Sequence, residues 1–316
     1  MQYAAQVRHE LCTFVIPDLA NLIQEYAGFA GVLKYTLDSK LSIHDVLALP
    51  NGDLASACDD GTIEMWRREM NIATSKVSSG GSWHEVNVLA LLPNGDVASG
   101  SWDRTIKIFL RNGVAIQTLR GHTSGVLALL VLPDGDLVSG SADQTIKVWR
   151  HNVCIETLKG HSGAILDLAI LSNGDLVSGG DDSSIRIWRR SVTRSGHRVC
   201  IATLRGHKNW VNALAVLPNG DLASASCDET IKVWRHNVCI ATLRGHTQSV
   251  GALTVLPNGD LASGSDDRTI KIWRHGVCIQ TLEEDDEHTN FVTALAVLPN
   301  GDLVSGSWDK TIKVWH

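Results

Sequence analysis

The chain has 316 residues, enough for two or three ordinary domains or one large one. Its 28 basic and 34 acidic side chains give a net charge of −6, which argues against a general binder of nucleic acid or of an anionic membrane. Hydrophobic residues make up 44% and support a large core, yet no run of 18 uncharged apolar residues spans a bilayer, and the opening MQYAAQVRHELCTF lacks the basic-then-apolar order of a secretory signal.

Residues 1–31 come first. Pro17-Asp18 followed by Leu19, Leu22, Ile23 and Tyr26 carries a helix start signal and helical apolar spacing, which predicts a short N-terminal helix packed on the flank of the remaining chain. The stretch IPDLANLIQEYAG also resembles the opening helix of an F-box, although the segment is shorter than a whole one.

From residue 32 the chain repeats itself. A core of the type LPNGDLASGSDDRTIKIW starts at Leu49, Leu92, Leu132, Leu171, Leu217, Leu256 and Leu298. The copies end on Trp66, Phe109, Trp149, Trp188, Trp234, Trp273 and Trp315, about 40 residues apart. Each holds a dipeptide such as Asn51-Gly52, Asp134-Gly135 or Asn219-Gly220, which a tight hairpin turn favours because both residues tolerate positive φ. An apolar strand such as Val211–Leu217 precedes that turn, Asp221–Ser226 follows it, and a second tight turn leads to TIKVW and then to a strand of the VCIATL type.

A Gly-His toward one end of such a period and a Trp at the other mark a four-stranded propeller blade. On these motifs the chain from residue 32 resembles a WD40 repeat protein. The resemblance implies an all-β, seven-bladed WD40 β-propeller over residues 32–316, with 1–31 as an N-terminal helical extension. The seventh copy stops at Trp315-His316, just after its third strand, while Val32–Leu37 aligns with VCIATL ahead of the first copy. The N-terminal strand is therefore expected to complete blade seven and remove an open sheet edge.

Five copies hold a His, a Ser, an Asp and a Trp at matching offsets: His122, Ser139, Asp143 and Trp149; His161, Ser178, Asp182 and Trp188; His207, Ser224, Asp228 and Trp234; His246, Ser263, Asp267 and Trp273; His288, Ser305, Asp309 and Trp315. One set alone would suggest a hydrolase triad. Five sets with a Trp argue for scaffold instead, and the WD40 resemblance implies a buried hydrogen-bond chain in each blade. No catalytic residue is expected. Ser39 and Ser82 stand where His belongs in copies one and two, and Phe109 replaces a Trp, so those blades are expected to be less rigid.

Four of the seven cysteines (Cys154, Cys200, Cys239 and Cys278) recur in VCI, too far apart on neighbouring blades for a disulfide. With Cys12, Cys58 and Cys227 they form no zinc-type pair, and repetition explains most of the His. Reduced thiols, a cytoplasmic setting, no metal and no cofactor are the expectation.

Function should lie where the copies differ. The turn before the first strand and the turn before TIKVW open on one face, the top face that WD40 proteins commonly use for docking. Directly before each tetrad Asp stand Asp59, Trp102, Ala142, Asp181, Cys227, Asp266 and Trp308. Flanking the residue that opens each first strand are Trp210 and Phe291 on one side, and His44, Asn87, Asn212 and Thr293 on the other. Ten Trp less six scaffold Trp leaves Trp83, Trp102, Trp210 and Trp308, all in top-face turns. Indoles there suit a binding hot spot, or lie flat over the neighbouring blade. Asp59, Asp181, Asp266 and the run 283–287 make the face acidic, offset by Arg104, Arg268 and Lys310, which fits an apolar partner patch rimmed by Lys or Arg. The run also reads as a solvated loop, and the Arg-rich insertion 189–198 on the opposite face as a mobile one.

These features predict a non-enzymatic, monomeric interaction scaffold that binds a protein or peptide and neither nucleic acid nor membrane. SGSWDKTIKVW at Ser305–Trp315, SGSADQTIKVWR at Ser139–Arg150 and WRHGVCIQTL at Trp273–Leu282 resemble the propeller of the phospholipase-activating protein family. That propeller binds ubiquitin on its top face, so the resemblance implies ubiquitin as a partner. The alternative readings are an F-box-like substrate receptor of a ubiquitin ligase, with Arg104, Arg268 and Lys310 reading a phosphopeptide, and an enzyme.

Overall fold

The computed structural model describes residues 29–77, 85–110, 113–191, 196–282 and 288–316. The expected N-terminal helix, its F-box-like stretch, Ser82, Trp83, the acidic run 283–287 and the middle of the 189–198 insertion lie outside the described residues. All described strands belong to the compact unit Gly31–His316.

Twenty-eight strands form seven four-stranded antiparallel sheets, and no helix occurs among the described residues. Blades one to six run in chain order from inner to outer strand across residues 43–76, 86–120, 126–159, 165–205, 211–243 and 250–282. Blade seven takes its three inner strands from 292–315 and its outer strand from Leu33–Asp38, antiparallel to Thr311–Trp315 with Leu37 opposite Ile312. The expected closing strand is therefore in place. It is pinned by Leu37, which is fully buried, and by Lys34 Nζ, which donates to Asp302 at 2.8 Å. The inner strand of blade seven packs against that of blade one, so the ring closes.

The repeated small residue in the second strand explains how the blades fit. A Cβ on Gly306 would come within 2.6 Å of Ile43, on Gly100 within 2.7 Å of Val126, and on Gly264 within 2.6 Å of Val292. Each small residue thus receives the β-branched residue that opens the next blade's inner strand. Ile43, Val86, Val126, Ile165, Val211, Val250 and Val292 are all fully buried, which places the core between blades.

Two local features shape the top face. After each of those β-branched residues the inner strand bulges, leaving the next residue out of register at the top. Between the second and third strands the chain turns through a left-handed residue, with φ of 70° at Arg104, 74° at Arg268 and 72° at Lys310. On the opposite face each Asn-Gly turn is braced by the following Asp. In blade one Asn51 and Arg67 both donate to Asp53, and Arg150, Arg189, Arg235 and Arg274 repeat the Arg contact in blades three to six.

Candidate functional site: the top face of the ring

The polar chain within the blades sets the geometry beneath this face. In blade three His122 Nδ1 donates to Asp143 at 2.8 Å, Ser139 Oγ donates to His122 Nε2 at 2.7 Å, and Trp149 Nε1 donates to Ser139 Oγ at 2.8 Å. The same four atom types meet in blades four to seven through His161–Asp182, His207–Asp228, His246–Asp267 and His288–Asp309. Ser178, Ser224, Ser263 and Ser305 close those chains with Trp188, Trp234, Trp273 and Trp315. Every one of these hydroxyls is fully buried. A nucleophile needs a substrate within reach, and here each hydroxyl already donates to an imidazole and accepts from an indole.

The carboxylates also hold the top-face loops. Asp143 accepts from the backbone N–H of Thr123 and from the Thr145 hydroxyl, tying the turn before the inner strand to the turn before the third. Burial alone would raise the Asp143, Asp182 and Asp228 carboxyls. The hydroxyl and N–H donors, with the imidazole, hold them down at about 2. Desolvation lowers His122, His161 and His207, so these rings are neutral at physiological pH.

Blades one and two are built differently. In blade one Trp66 still donates to Ser56, but Ser39 Oγ donates instead to Glu64 Oε2 at 2.7 Å. Glu64 stands where the other copies have Lys or Arg, a signal the sequence carried. Blade two has no such substitute: Phe109 is as buried as the Trp it replaces, yet Ser99 Oγ has no hydrogen-bond partner among the described residues.

Above this scaffold, the residue before each tetrad Asp donates its N–H to the residue before the inner strand. Trp102 pairs with Glu85, Asp181 with Ala164, Cys227 with Trp210, Asp266 with Ser249 and Trp308 with Phe291. The backbone is fixed, so the side chains at these positions are display positions. Trp102, Trp210 and Trp308 are 41%, 51% and 40% exposed. Trp308 stacks obliquely on Phe291 at 5.2 Å and meets His44 of blade one edge-on at 6.0 Å. Trp102 leans the same way round the ring and covers the bare Cα of Gly125 in blade three, where a Cβ would sit 2.4 Å from the indole. The indoles are thus half packed and half displayed, a combination of the two readings that the sequence left open.

Other predicted residues separate in the same manner. Asp266 accepts from Ser249, and burial raises its carboxyl, whereas Asp181 packs its carboxylate on Gly163. Arg104, Arg268 and Lys310 make no ion pair among the described residues and lie on blades two, six and seven. Asn87, Asn212 and Thr293 are spent on the scaffold, donating across the blade boundary to Val126, Val250 and Ile43 carbonyls at 2.9, 3.0 and 2.7 Å. His44 has no such stitch. Desolvation lowers its pKa, and its Nε2 has no partner among the described residues.

Sequence reasoning missed two carboxylates on the inner strands. Asp45 accepts from Leu89 N of blade two, and Asp167 from Leu214 N of blade five, each at 2.7 Å. Desolvation pushes both carboxyls up to about 7, against the pull of the N–H groups that they accept from. The available signal was an acid where the other copies carry Val or Ala.

No group of His, Cys, Asp or Glu among the described residues has the arrangement of a metal site. The six described cysteines are all free. Among comparisons with known proteins, the family model described as WD domain, G-beta repeat matches residues 31–67, 76–109, 113–150, 152–189, 198–235, 237–274 and 276–316. No curated protein matches. Solved structures matching the chain number 1559, so the backbone by itself discriminates little. One of them, the crystal structure of the WD40 beta propeller domain of Doa1, is 26% identical with a TM-score of 0.79, over 91% of this chain and 97% of that one.

Proposed function

Because the chain belongs to the WD40 family, we propose that it is a rigid, non-catalytic ring that docks a protein partner on its top face, and that this partner is ubiquitin. The observation that carries the reading is the half-exposed cluster of Trp308, Phe291 and His44 across the boundary between blades seven and one. An indole displayed on a backbone that is itself fixed is a preorganised anchor, since little side-chain or loop freedom remains to be lost on binding. Asp59 and Glu85 stand in the same sector, and Trp102 marks its far side on blade two. An apolar patch bordered by basic residues complements such a surface in shape and sign. The choice of ubiquitin rests on the resemblance of Ser305–Trp315 and its relatives to the phospholipase-activating protein propeller, a resemblance that the Doa1 propeller supports. The proposed setting is the cytosol, with the ring acting as a monomer and residues 1–31 as a separate extension.

Titration of isotope-labelled ubiquitin with the full chain tests the proposal. Single-domain contacts of this kind give micromolar affinity, about −8 kcal/mol. Trp308→Ala should weaken binding by roughly 2 kcal/mol or more and leave the melting temperature nearly unchanged. Absence of shifts at several hundred micromolar removes ubiquitin as the partner; shifts that survive both Trp308→Ala and Trp102→Ala move the site elsewhere. For the non-catalytic part, a serine-directed fluorophosphonate should label no tetrad Ser, and stoichiometric labelling of one would overturn it.

A further inference from the structure

The bottom face repeats one polar device, and blade two lacks half of it. In every blade the Asp that follows the hairpin turn is almost wholly buried, from 2% exposed at Asp302 to 9% at Asp96. At the end of the third strand an arginine reaches back to that Asp as a fork. Arg67 Nε and Nη2 donate to Asp53 Oδ1 and Oδ2 at 3.0 and 2.9 Å. Arg150, Arg189, Arg235 and Arg274 repeat both bonds on Asp136, Asp175, Asp221 and Asp260 at 2.6 to 3.0 Å. Blade seven serves Asp302 with two side chains, Lys34 Nζ on Oδ2 and His316 Nδ1 on Oδ1, each at 2.8 Å.

In blade two the position of that arginine is Leu110. Asp96 Oδ2 accepts from Asn94 Nδ2 at 2.8 Å, as its counterparts do from their own turns, but Oδ1 has no donor among the described residues. The place beside the carboxylate is bordered by aliphatic surface instead. Leu110 is 38% exposed, and Val114, whose carbonyl accepts from the Leu110 N–H at 3.0 Å, is 53% exposed. The turn of blade three, which meets this turn where Gly135 faces Pro93, adds a second carboxylate and no cation of its own. That carboxylate, Asp134, is engaged with Arg150 and Arg190 at 3.7 and 3.5 Å. Arg111, the residue after Leu110, lies outside the described residues.

We infer that Asp96 is a subsite on the bottom face for an arginine side chain of a partner protein, whose guanidinium takes the place that an arginine of this chain fills in blades one and three to six. The complement is known because the same carboxylate, on the same turn and at the same depth, holds a forked donor in those five blades. A guanidinium can bond Oδ1 and Oδ2 together. The Lys34 ammonium in blade seven reaches one oxygen and leaves the other to His316, so a lysine would satisfy this site only in part. The aliphatic stem of the incoming arginine would lie on Leu110 and Val114. Trp308 is on the opposite face, so the inference does not depend on the proposed top-face docking.

The test titrates the isotope-labelled full chain with N-acetyl arginine methylamide and with its lysine and citrulline counterparts, reading the backbone amide resonances of Asp96 and Val114. The arginine compound should shift both saturably and bind at least about fivefold more tightly than the lysine compound, and the neutral citrulline compound should give no shift. Asp96→Asn should abolish the response. Leu110→Arg restores the fork within the chain and should abolish it as well, with the fold of the blade kept. Trp308→Ala should leave it unchanged. No shift with arginine, equal binding of arginine and citrulline, or a response that survives Leu110→Arg overturns the subsite. So does a response that Arg111→Gln strengthens severalfold, since Arg111 would then already serve Asp96 within the chain.

Discussion

Blades three to seven and blades one and two share one backbone and differ in what lies inside it. Five blades carry an unbroken chain from Asp through His and Ser to Trp, while blade one routes Ser39 to Glu64 and blade two leaves Ser99 without a partner among the described residues. The strand ladders are nonetheless the same, with Val97 opposite Phe109 where Leu137 lies opposite Trp149. Phe109 is 3% exposed against 4% for Trp149. The difference separates two roles of the repeat's aromatic residue. Its bulk fills the space between blades and is needed in all seven, whereas its N–H serves a polar chain that a blade can lack. Blade two also has Leu110 where the other early blades end their third strand on Arg, so Asp96 is braced by Asn94 alone among the described residues. Two polar networks are thus thinned in the blade that carries Trp102.

The strongest challenge to this contrast is His207→Ala, which leaves the Asp228 and Ser224 groups of blade five buried with partners missing. It should cost about 3 kcal/mol in urea unfolding, and a loss below 1 kcal/mol would mean that the chain is dispensable everywhere. The acids sharpen the contrast through pH. Tetrad carboxyls held near 2 sit below their unfolded range, so they contribute stability above about pH 4 that is lost as pH falls toward 2. Asp45 and Asp167 work in the opposite sense. Raised to about 7, they cost nothing below pH 4, weaken the fold progressively as pH climbs from about 4 to 7, and add no further loss above that. Asp45→Asn should flatten that decline between about pH 4 and 7 and so leave the ring on the order of 2 kcal/mol more stable at pH 8, and an unchanged slope would show that water screens the carboxyl.

A matched pair compares the serines directly. Ser139→Ala should cost about 1 to 3 kcal/mol, and Ser99→Ala should fall within about 0.5 kcal/mol of zero, since it removes a hydroxyl that has no hydrogen-bond partner among the described residues. Equal losses would erase the distinction between the blades. The smallest effect expected is a gain. Phe109→Trp gives Ser99 a donor and should stabilise the ring by roughly 0.5 to 1 kcal/mol, visible as a slightly higher unfolding midpoint. A loss would mean that blade two has repacked around the smaller ring.

The ring was legible because its signals recur: the Asn-Gly turns and the five tetrads stand at fixed offsets, and Val32–Leu37 matched an outer strand whose place was empty. What was hidden depends on contacts between copies. Nothing local in the sequence says that Trp102 leans onto Gly125, that Asp45 reaches Leu89, or that Asn87 is spent on a neighbouring carbonyl. Each contact joins residues of adjacent blades that lie far apart in the chain, and the direction of the side chain is set by the bulge and turn geometry. Glu64 was visible as a departure from the consensus, but became interpretable only once the strand register placed its neighbours.

The clasp in blade seven has a mechanical meaning. Lys34 and Asp302, 268 positions apart in sequence, meet across the one blade whose strands are not consecutive in the chain. Its outer ladder holds the ring shut by noncovalent bonds alone, with His316 exchanging two backbone hydrogen bonds with Val32 at its end. Tension applied between residues 31 and 316 would load this antiparallel ladder first at its Val32–His316 end and unzip it, one bond pair after another. Once it slips, the remaining six blades are linked as beads on a string and can be peeled one at a time. The ring therefore has a designated point of failure, and the work needed to open it is set by six residues of outer strand rather than by the stability of any whole blade.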